Sequence, residues 1–209
     1  MLKNIKCEKD LGVKVQCDLK VEEQVKVASD RASLSMRQMK NTFKYMTPEI
    51  FRTLYCSHVR PHMEFSIQAW SPYLKKDVEK LEKVQRRATK LVRGIRNRPY
   101  EERLKILDLH RLEKRRIRGD LIETHKILSG REGLDKDKFF NTDVDKRTRG
   151  EKKIFKQRSR LEIRKNFFSQ RVVNHWNGLT EEVRVAETVT QLKRRLDKEW
   201  KRTGYGYQE

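Results

Sequence analysis

The segment 71–92, SPYLKKDVEKLEKVQRRATKLV, decides the fold because its pattern is helical over its whole length. Apolar residues recur in it at spacings of three and four, which places them on one face of a helix. These residues are Leu74, Val78, Leu81, Val84, Ala88 and Leu91. Ser71 can cap the first free backbone N–H groups, and Pro72 fits the first helical position, where a missing N–H does no harm. The sequence therefore predicts an amphipathic helix that begins at Ser71.

The other faces of this helix are strongly basic. The cations predicted to face solvent are Lys75, Lys76, Lys80, Lys83, Arg86, Arg87 and Lys90. Glu79 and Glu82 each precede a cation by four residues, so we expect them to support the helix through local ion pairs. These pairs offset only part of the positive charge. A solvated face and a nucleic-acid contact both fit this segment.

The charge of the whole chain favours a polyanionic partner. Its 209 residues include 51 Lys and Arg against 30 Asp and Glu, which leaves a net charge of +21. RNA, DNA or an anionic membrane surface would complement that charge. No apolar run approaches the roughly 20 residues of a membrane span, and residues 1–12 lack the apolar core of a signal peptide. We therefore expect an intracellular protein, in the nucleus or cytoplasm, that does not enter a membrane.

The residue types of common catalytic and metal sites do not occur at the required spacings. The three cysteines are an odd number without a CxxC pair, which argues against a disulfide framework and a zinc knuckle. His58 and His62 are four residues apart, but Val59 stands where a zinc protease motif has its glutamate. The chain also has no Gly-rich phosphate loop and no Asp-Asp pair. We therefore expect no catalysis, no bound metal and no cofactor.

The pattern divides the chain into four parts. Residues 1–20 contain apolar positions that alternate with polar ones, which predicts a short β-hairpin. Residues 21–130 carry helical periodicity and predict a helical bundle. Residues 131–155 lack periodicity and are predicted to form a basic loop or linker between domains, and residues 156–209 return to helical spacing. The predicted fold is mainly α: a helical bundle and C-terminal helices with a short N-terminal β-hairpin.

A second basic patch lies between positions 147 and 165, where nine of nineteen residues are cations. They are Arg147, Arg149, Lys152, Lys153, Lys156, Arg158, Arg160, Arg164 and Lys165. Arginines in such a patch can bind phosphate groups bidentately, but a solvated linker has the same composition. Phe167, Phe168 and Trp176 follow at helical spacing, which favours packing in a core over stacking on bases.

Four sequence strings, in the order of the chain, resemble one protein family. They are DLGVKVQCDLK, RPHMEFSIQAWSPYLKKDVEKLEKVQRRATKLV, RRIRGDLIETHKILSG and SRLEIRKNFFSQRVVNHWNGL. They resemble the C-terminal part of the reverse transcriptase of non-LTR retrotransposons, the LINE elements of the jockey and chicken-repeat type. The resemblance covers residues 8–201 and is specific, because the strings are long.

This resemblance implies a thumb and a C-terminal region of a polymerase. Leu11, Gly12 and Val13 match the LGV of the hairpin that closes the palm and helps hold the primer end, and the helices that follow correspond to the thumb. The family's metal-binding aspartate pair and its endonuclease lie upstream of that hairpin, so we expect neither activity in this chain. Lys114 and His125 depart from the family, which often has tyrosine there, and the change puts a stacking role at both positions in doubt.

The leading hypothesis is a non-catalytic fragment that grips the backbone of RNA or DNA through its basic helices and loop, with little sequence specificity. An alternative hypothesis is a helical interaction module whose apolar stripe is exposed and recruits a partner helix or a second copy. The stripe in question consists of Leu74, Val78, Leu81 and Val84. A functionless relic of the element also fits the sequence.

Overall fold

The structure is a computed structural model that describes residues 6–141 and 152–203. It is mainly helical, with eleven α-helices in the described part and a two-stranded antiparallel hairpin near the N-terminus. The predicted fold class is therefore confirmed. The chain forms two compact units, Met1–Arg116 and Ile117–Glu209. This division falls earlier than the linker expected at 131–155.

The hairpin forms because its turn sequence permits two consecutive residues with positive φ. Leu11 has φ 42° and Gly12 has φ 89°, and this combination joins twisted antiparallel strands by a two-residue turn. A Cβ atom at Gly12 would lie 3.2 Å from the ring of Phe65, so the glycine also permits a close approach. The strands are β1 (Cys7–Asp10) and β2 (Val13–Gln16), with Asp10 paired to Val13 and Cys7 to Gln16.

The first unit is built from the hairpin and a helical core. Its helices are α1 (Glu22–Thr42), α2 (Pro48–Leu54), α3 (Pro61–Glu64), α4 (Ile67–Trp70), α5 (Lys75–Thr89) and α6 (Tyr100–Ile106), followed by the start of α7 (Leu112–Leu128). A π-helical turn, Tyr55–Val59, and a 3-10 turn, Arg93–Ile95, complete it. Helix α1 packs against α5. Large side chains fill the core, including Phe51, Tyr55, Trp70 and Leu81, all nearly inaccessible to solvent.

Helix α5 begins later than the sequence predicts. Ser71 has φ −49° and ψ 119°, so it ends α4 in an extended conformation and does not cap α5. The residue before a proline is disfavoured in the helical region, because the proline ring clashes with it. Leu74 occupies the N-cap position, with no side-chain hydrogen bond, and α5 starts at Lys75. The prediction that the helix begins at Ser71 with Pro72 in its first position is wrong.

The second unit contains the later part of α7 and the C-terminal helices. These are α8 (Glu162–Lys165), α9 (Phe168–Asn177), α10 (Glu181–Arg184) and α11 (Val189–Thr203), with a 3-10 turn at Lys136–Lys138. The core of this unit forms around Trp176, Leu192 and Leu196. Leu121 and Ile127 of α7 belong to the same core, which explains why the division between the units falls inside α7.

The predicted core aromatics of this unit divide into two groups. Trp176 is fully buried, and Phe168 packs edge-on against Phe140 with 5.8 Å between ring centroids. Phe167 is 47% exposed, so for this residue the expectation of a core position is wrong. It occupies the N-cap position of α9 in an extended conformation, and its ring therefore leaves the buried face of that helix.

Candidate nucleic-acid interface

Helix α5 buries the predicted apolar stripe and presents its cations to solvent. Leu81, Val84 and Ala88 are fully buried, while Leu74 and Val78 are half-buried. The stripe is covered by the unit's own core, in which α1 packs on α5. The hypothesis that this stripe is exposed and recruits a partner is therefore wrong for its central residues. Of the seven predicted cations, Lys80 is half-buried. The other six are exposed: Lys75, Lys76, Lys83, Arg86, Arg87 and Lys90.

Glu82 has a different role from the one expected of it. Its side chain is almost fully buried, and one carboxylate oxygen accepts a hydrogen bond from the Tyr100 hydroxyl. The other oxygen accepts from the backbone N–H of Leu112 at 3.1 Å, so Glu82 caps the first turn of α7. Burial raises the pKa of Glu82, although the bonds from Tyr100 and Leu112 oppose that rise. The predicted local ion pair of Glu82 is wrong, because its side chain points into the core.

Gln85 lies one turn further along α5 and completes this buried polar cluster. Its carbonyl oxygen accepts a bond from the Tyr55 hydroxyl at 2.6 Å. Its amide nitrogen donates to the Tyr100 hydroxyl at 2.9 Å and to the His110 carbonyl at 3.0 Å. The cluster fixes α5 against three other segments of the unit. Sequence reasoning missed it, although Gln85 lies on the helix beside the apolar stripe.

A shallow groove runs between α1 and α5, and cations line one side of it. We call it the basic groove. It has a volume of about 380 Å³ and is lined by Ser29, Asp30 and Ser33 of α1 and by Lys80, Lys83, Val84, Arg86, Arg87 and Lys90. Arg87 Nη2 lies 3.4 Å from Ser33 Oγ, which holds the guanidinium at the groove. Among the described residues, no carboxylate lies within ion-pair distance of Lys80, Lys83 or Lys90.

The remaining cations of α5 have partners or mixed surroundings. Lys76 Nζ pairs with Glu22 at 3.1 Å, and the Arg86 guanidinium lies 4.9 Å from the centre of the Tyr100 ring. Lys75 borders a second cleft of about 540 Å³ whose lining also includes Glu79 and other acidic residues. The structure thus brings the predicted cations together most closely at the basic groove.

The second basic patch is held to α9 over residues 152–157. Trp176 Nε1 donates to the Lys152 carbonyl at 2.7 Å. The side-chain amide of Asn177 bonds both the N–H and the carbonyl of Ile154, at 3.0 and 2.7 Å, and Gln170 accepts from the N–H of Gln157 at 3.1 Å. From Ile154 to Gln157 an extended chain advances about 10 Å. The seven helical residues from Gln170 to Asn177 rise by about the same distance, so both side-chain amides can bond the segment. We call residues 152–160 the strap.

The strap directs most of its cations into solvent. Lys152, Lys156, Arg158 and Arg160 are exposed, whereas Ile154 is buried in the core. Lys153 is half-buried. Arg164 and Lys165 lie on α8, where Lys165 pairs with Glu162. Arg147 and Arg149 lie outside the described residues.

Of the three hairpin residues singled out in the sequence, Leu11, Gly12 and Val13, only Leu11 is strongly exposed to solvent. Leu11 is 90% exposed at the tip, while Val13 is buried in the core of the first unit. Gln24 Oε1 accepts a bond from the N–H of Lys14 at 2.8 Å and ties the hairpin to α1. In the described ranges, no cluster of three or more potential metal ligands occurs. No helix there is long and apolar enough to cross a bilayer.

His125, one of the positions where the sequence departs from the retrotransposon family that it resembles, is buried and has a structural partner. Its Nε2 lies 2.7 Å from the Ala186 carbonyl, so the neutral ring donates from that nitrogen. No hydrogen-bond partner reaches Nδ1 in the described part of the chain. Burial lowers the pKa of His125, and the positive charges of Lys152 and Arg131 lower it further.

We expect the second unit to lose stability as the pH falls through the ordinary histidine range. Below about 6.5 the unfolded chain binds a proton at His125 that the folded unit resists, so stability falls until the pH passes the lowered pKa. His125→Gln retains an amide donor for Ala186 and should remove this part of the pH dependence. Urea unfolding of both proteins at about pH 5 and about pH 7.5 measures how much free energy of unfolding each one loses between the two pH values. Equal pH dependence in both proteins would contradict the assignment.

The fold and the cation-lined surfaces define a mainly helical, strongly basic protein. No known protein family matches the chain, and no solved structure matches it. A stretch of 124 residues, 58% of the chain, is 27% identical to an uncharacterized protein of Caenorhabditis elegans. The match spans 63% of that protein's length. This similarity assigns no activity, and the resemblance to reverse transcriptases stays a prediction.

Proposed function

We propose that this chain is a nucleic-acid-binding module that grips the phosphate backbone of RNA or DNA with little sequence preference and catalyses no reaction. The proposal includes its origin, as the thumb and C-terminal region of a non-LTR retrotransposon reverse transcriptase, which the four sequence strings support. The observation that carries it is the basic groove, where lysines of α5 collect beside α1 without carboxylate partners in the described part of the chain.

The mechanism is electrostatic. Lysine ammonium groups are flexible point charges that follow a phosphate backbone, and their binding releases condensed counterions. Arg87, held beside Ser33, adds a planar donor group, and the half-buried Ser33 hydroxyl can donate to a phosphate oxygen. None of these contacts reads a base edge, so the affinity depends on backbone geometry and salt.

The test is a salt series with single-stranded RNA, duplex DNA and a primed RNA/DNA hybrid. A groove variant carries Lys80→Gln, Lys83→Gln, Arg87→Gln and Lys90→Gln. The affinity for duplex DNA falls as salt rises, and each phosphate that the protein neutralises makes the slope of log affinity against log salt steeper by about 0.9. Because the groove variant removes four cations, we expect it to reduce the magnitude of that slope by up to about 3.6 on duplex DNA. A module that works as a thumb binds the primed hybrid most tightly.

A matched control separates the groove from net charge. The control variant carries Lys193→Gln, Arg194→Gln, Lys198→Gln and Lys201→Gln, all at exposed positions of α11. It removes the same number of charges, and we expect its slope to stay near that of the unaltered protein. Equal losses in both variants would mean that overall charge, and no particular surface, attracts the nucleic acid.

A further inference from the structure

The second unit carries exposed aromatic side chains among its cations. Phe167 is 47% exposed and Phe155 is 40% exposed, although phenylalanine normally lies in a core. Both belong to the segment that contains the strap and the start of α9. Aromatic rings interleaved with cations are the arrangement by which proteins bind single-stranded nucleic acids.

Hydrogen bonds connect the strap, at a point two residues after Phe155, to the side chains around Phe167. Gln157, two residues after Phe155, donates its N–H to Gln170 in the first turn of α9. Arg164 Nη2 donates to the side-chain carbonyl of Gln157 at 3.2 Å. The same guanidinium lies 5.7 Å from the centre of the Phe167 ring. Gln157 and Arg164 therefore connect the strap to the exposed ring at the start of α9.

The charges on this surface are available to an anion. Lys156, Arg158 and Arg160 are exposed, and within residues 6–141 and 152–203 no carboxylate lies within ion-pair distance of them. Arg164 is exposed as well and bonds only neutral groups among the contacts described above. A flexible polyanion with accessible ring faces complements both features of the surface.

We propose that this surface binds single-stranded nucleic acid by stacking bases on Phe167 and Phe155, while Lys156, Arg158 and Arg164 contact the phosphates. The inference rests on the proposed function and extends it, because it assigns the strand form that the second unit takes. A duplex hides its base faces, so only a single strand can use the rings. Stacking is insensitive to base identity and fits a module without sequence preference.

The experiment compares oligodeoxythymidine with an abasic oligodeoxynucleotide of equal length, which keeps the phosphates but offers no bases. We expect the unaltered protein to bind the thymidine strand about tenfold more tightly or more, with similar salt slopes for both. Phe167→Leu should reduce this difference, while Phe155 keeps part of it, and Phe167→Trp should retain it in full. Leu161→Ala, which truncates a 71% exposed apolar side chain of the same segment, should change nothing.

The outcomes separate this inference from the proposed function. Equal affinity of the unaltered protein for both strands, with a steep salt slope, overturns the stacking surface and leaves backbone binding intact. A base-dependent affinity that Phe167→Leu does not change also overturns it. No measurable binding of either strand, of duplex or of hybrid at low salt overturns the proposed function. The comparison of strands uses the unaltered protein, so it does not depend on whether a variant folds.

Discussion

Arg171→Ala is expected to lower the free energy of unfolding of the second unit by about 3–5 kcal/mol. Arg171 bonds Asp120 bidentately, with Nε and Nη2 at 2.8 and 2.9 Å from the two carboxylate oxygens. The side chains are only 16% and 7% exposed. The variant removes both of these hydrogen bonds from a buried carboxylate, and removing one partner of a buried ion pair costs more than the pair contributes. It also removes the bond from Arg171 to the Asn166 carbonyl.

Urea unfolding followed by tryptophan fluorescence measures this loss, because Trp176 and Trp200 both lie in the second unit. Arg118→Ala is the matched control. Arg118 also bonds a carboxylate bidentately, Asp197 at 2.9 Å, but Asp197 is 50% exposed, so water replaces the lost partner. We expect a loss below about 1 kcal/mol there. Similar losses for both arginines would show that burial does not set the energy of the Asp120 pair.

Gln85→Leu is expected to destabilise the first unit by about 1–3 kcal/mol, because it removes the hydrogen-bond acceptor of the buried Tyr55 hydroxyl. The Tyr55 hydroxyl and the His110 carbonyl both bond Gln85. Leucine has a similar volume, so the change tests hydrogen bonding more than packing. Burial raises the pKa of Tyr55 well above its ordinary value, which keeps the hydroxyl a neutral donor that needs an acceptor.

A double-mutant cycle isolates the hydrogen bond between Tyr55 and Gln85. Tyr55→Phe removes the hydroxyl, so the double variant no longer buries an unpaired donor at that point. We expect the double variant to be less destabilised than the sum of the two single variants. Strict additivity in urea unfolding would mean that the bond contributes nothing beyond the separate side chains.

The residues of the candidate site were predictable to different degrees. The solvent exposure of six of the seven cations of α5 follows from the sequence, because lysine and arginine away from the apolar stripe of a helix usually face solvent. The groove itself was not predictable, since Ser29 and Ser33 come from a helix some fifty positions earlier in the chain. Phe167 was assigned to the core by its spacing, and only its position before the first turn of α9 exposes it.

The sequence by itself determined the helices, the hairpin and the basic faces, because periodicity, capping and positive-φ turns are local properties of the chain. At the start of α11, for example, the Thr188 hydroxyl accepts a hydrogen bond from the N–H of Gln191, only three residues later in the chain. Tertiary structure decided which polar residues are buried and what they bond. Asp120 and Arg171 form their ion pair although they are 51 positions apart in the chain. Glu82 accepts a hydrogen bond from Leu112, which lies 30 positions later. Whether a charged side chain on a helix faces solvent or a distant partner depends on long-range packing, which a local pattern does not specify.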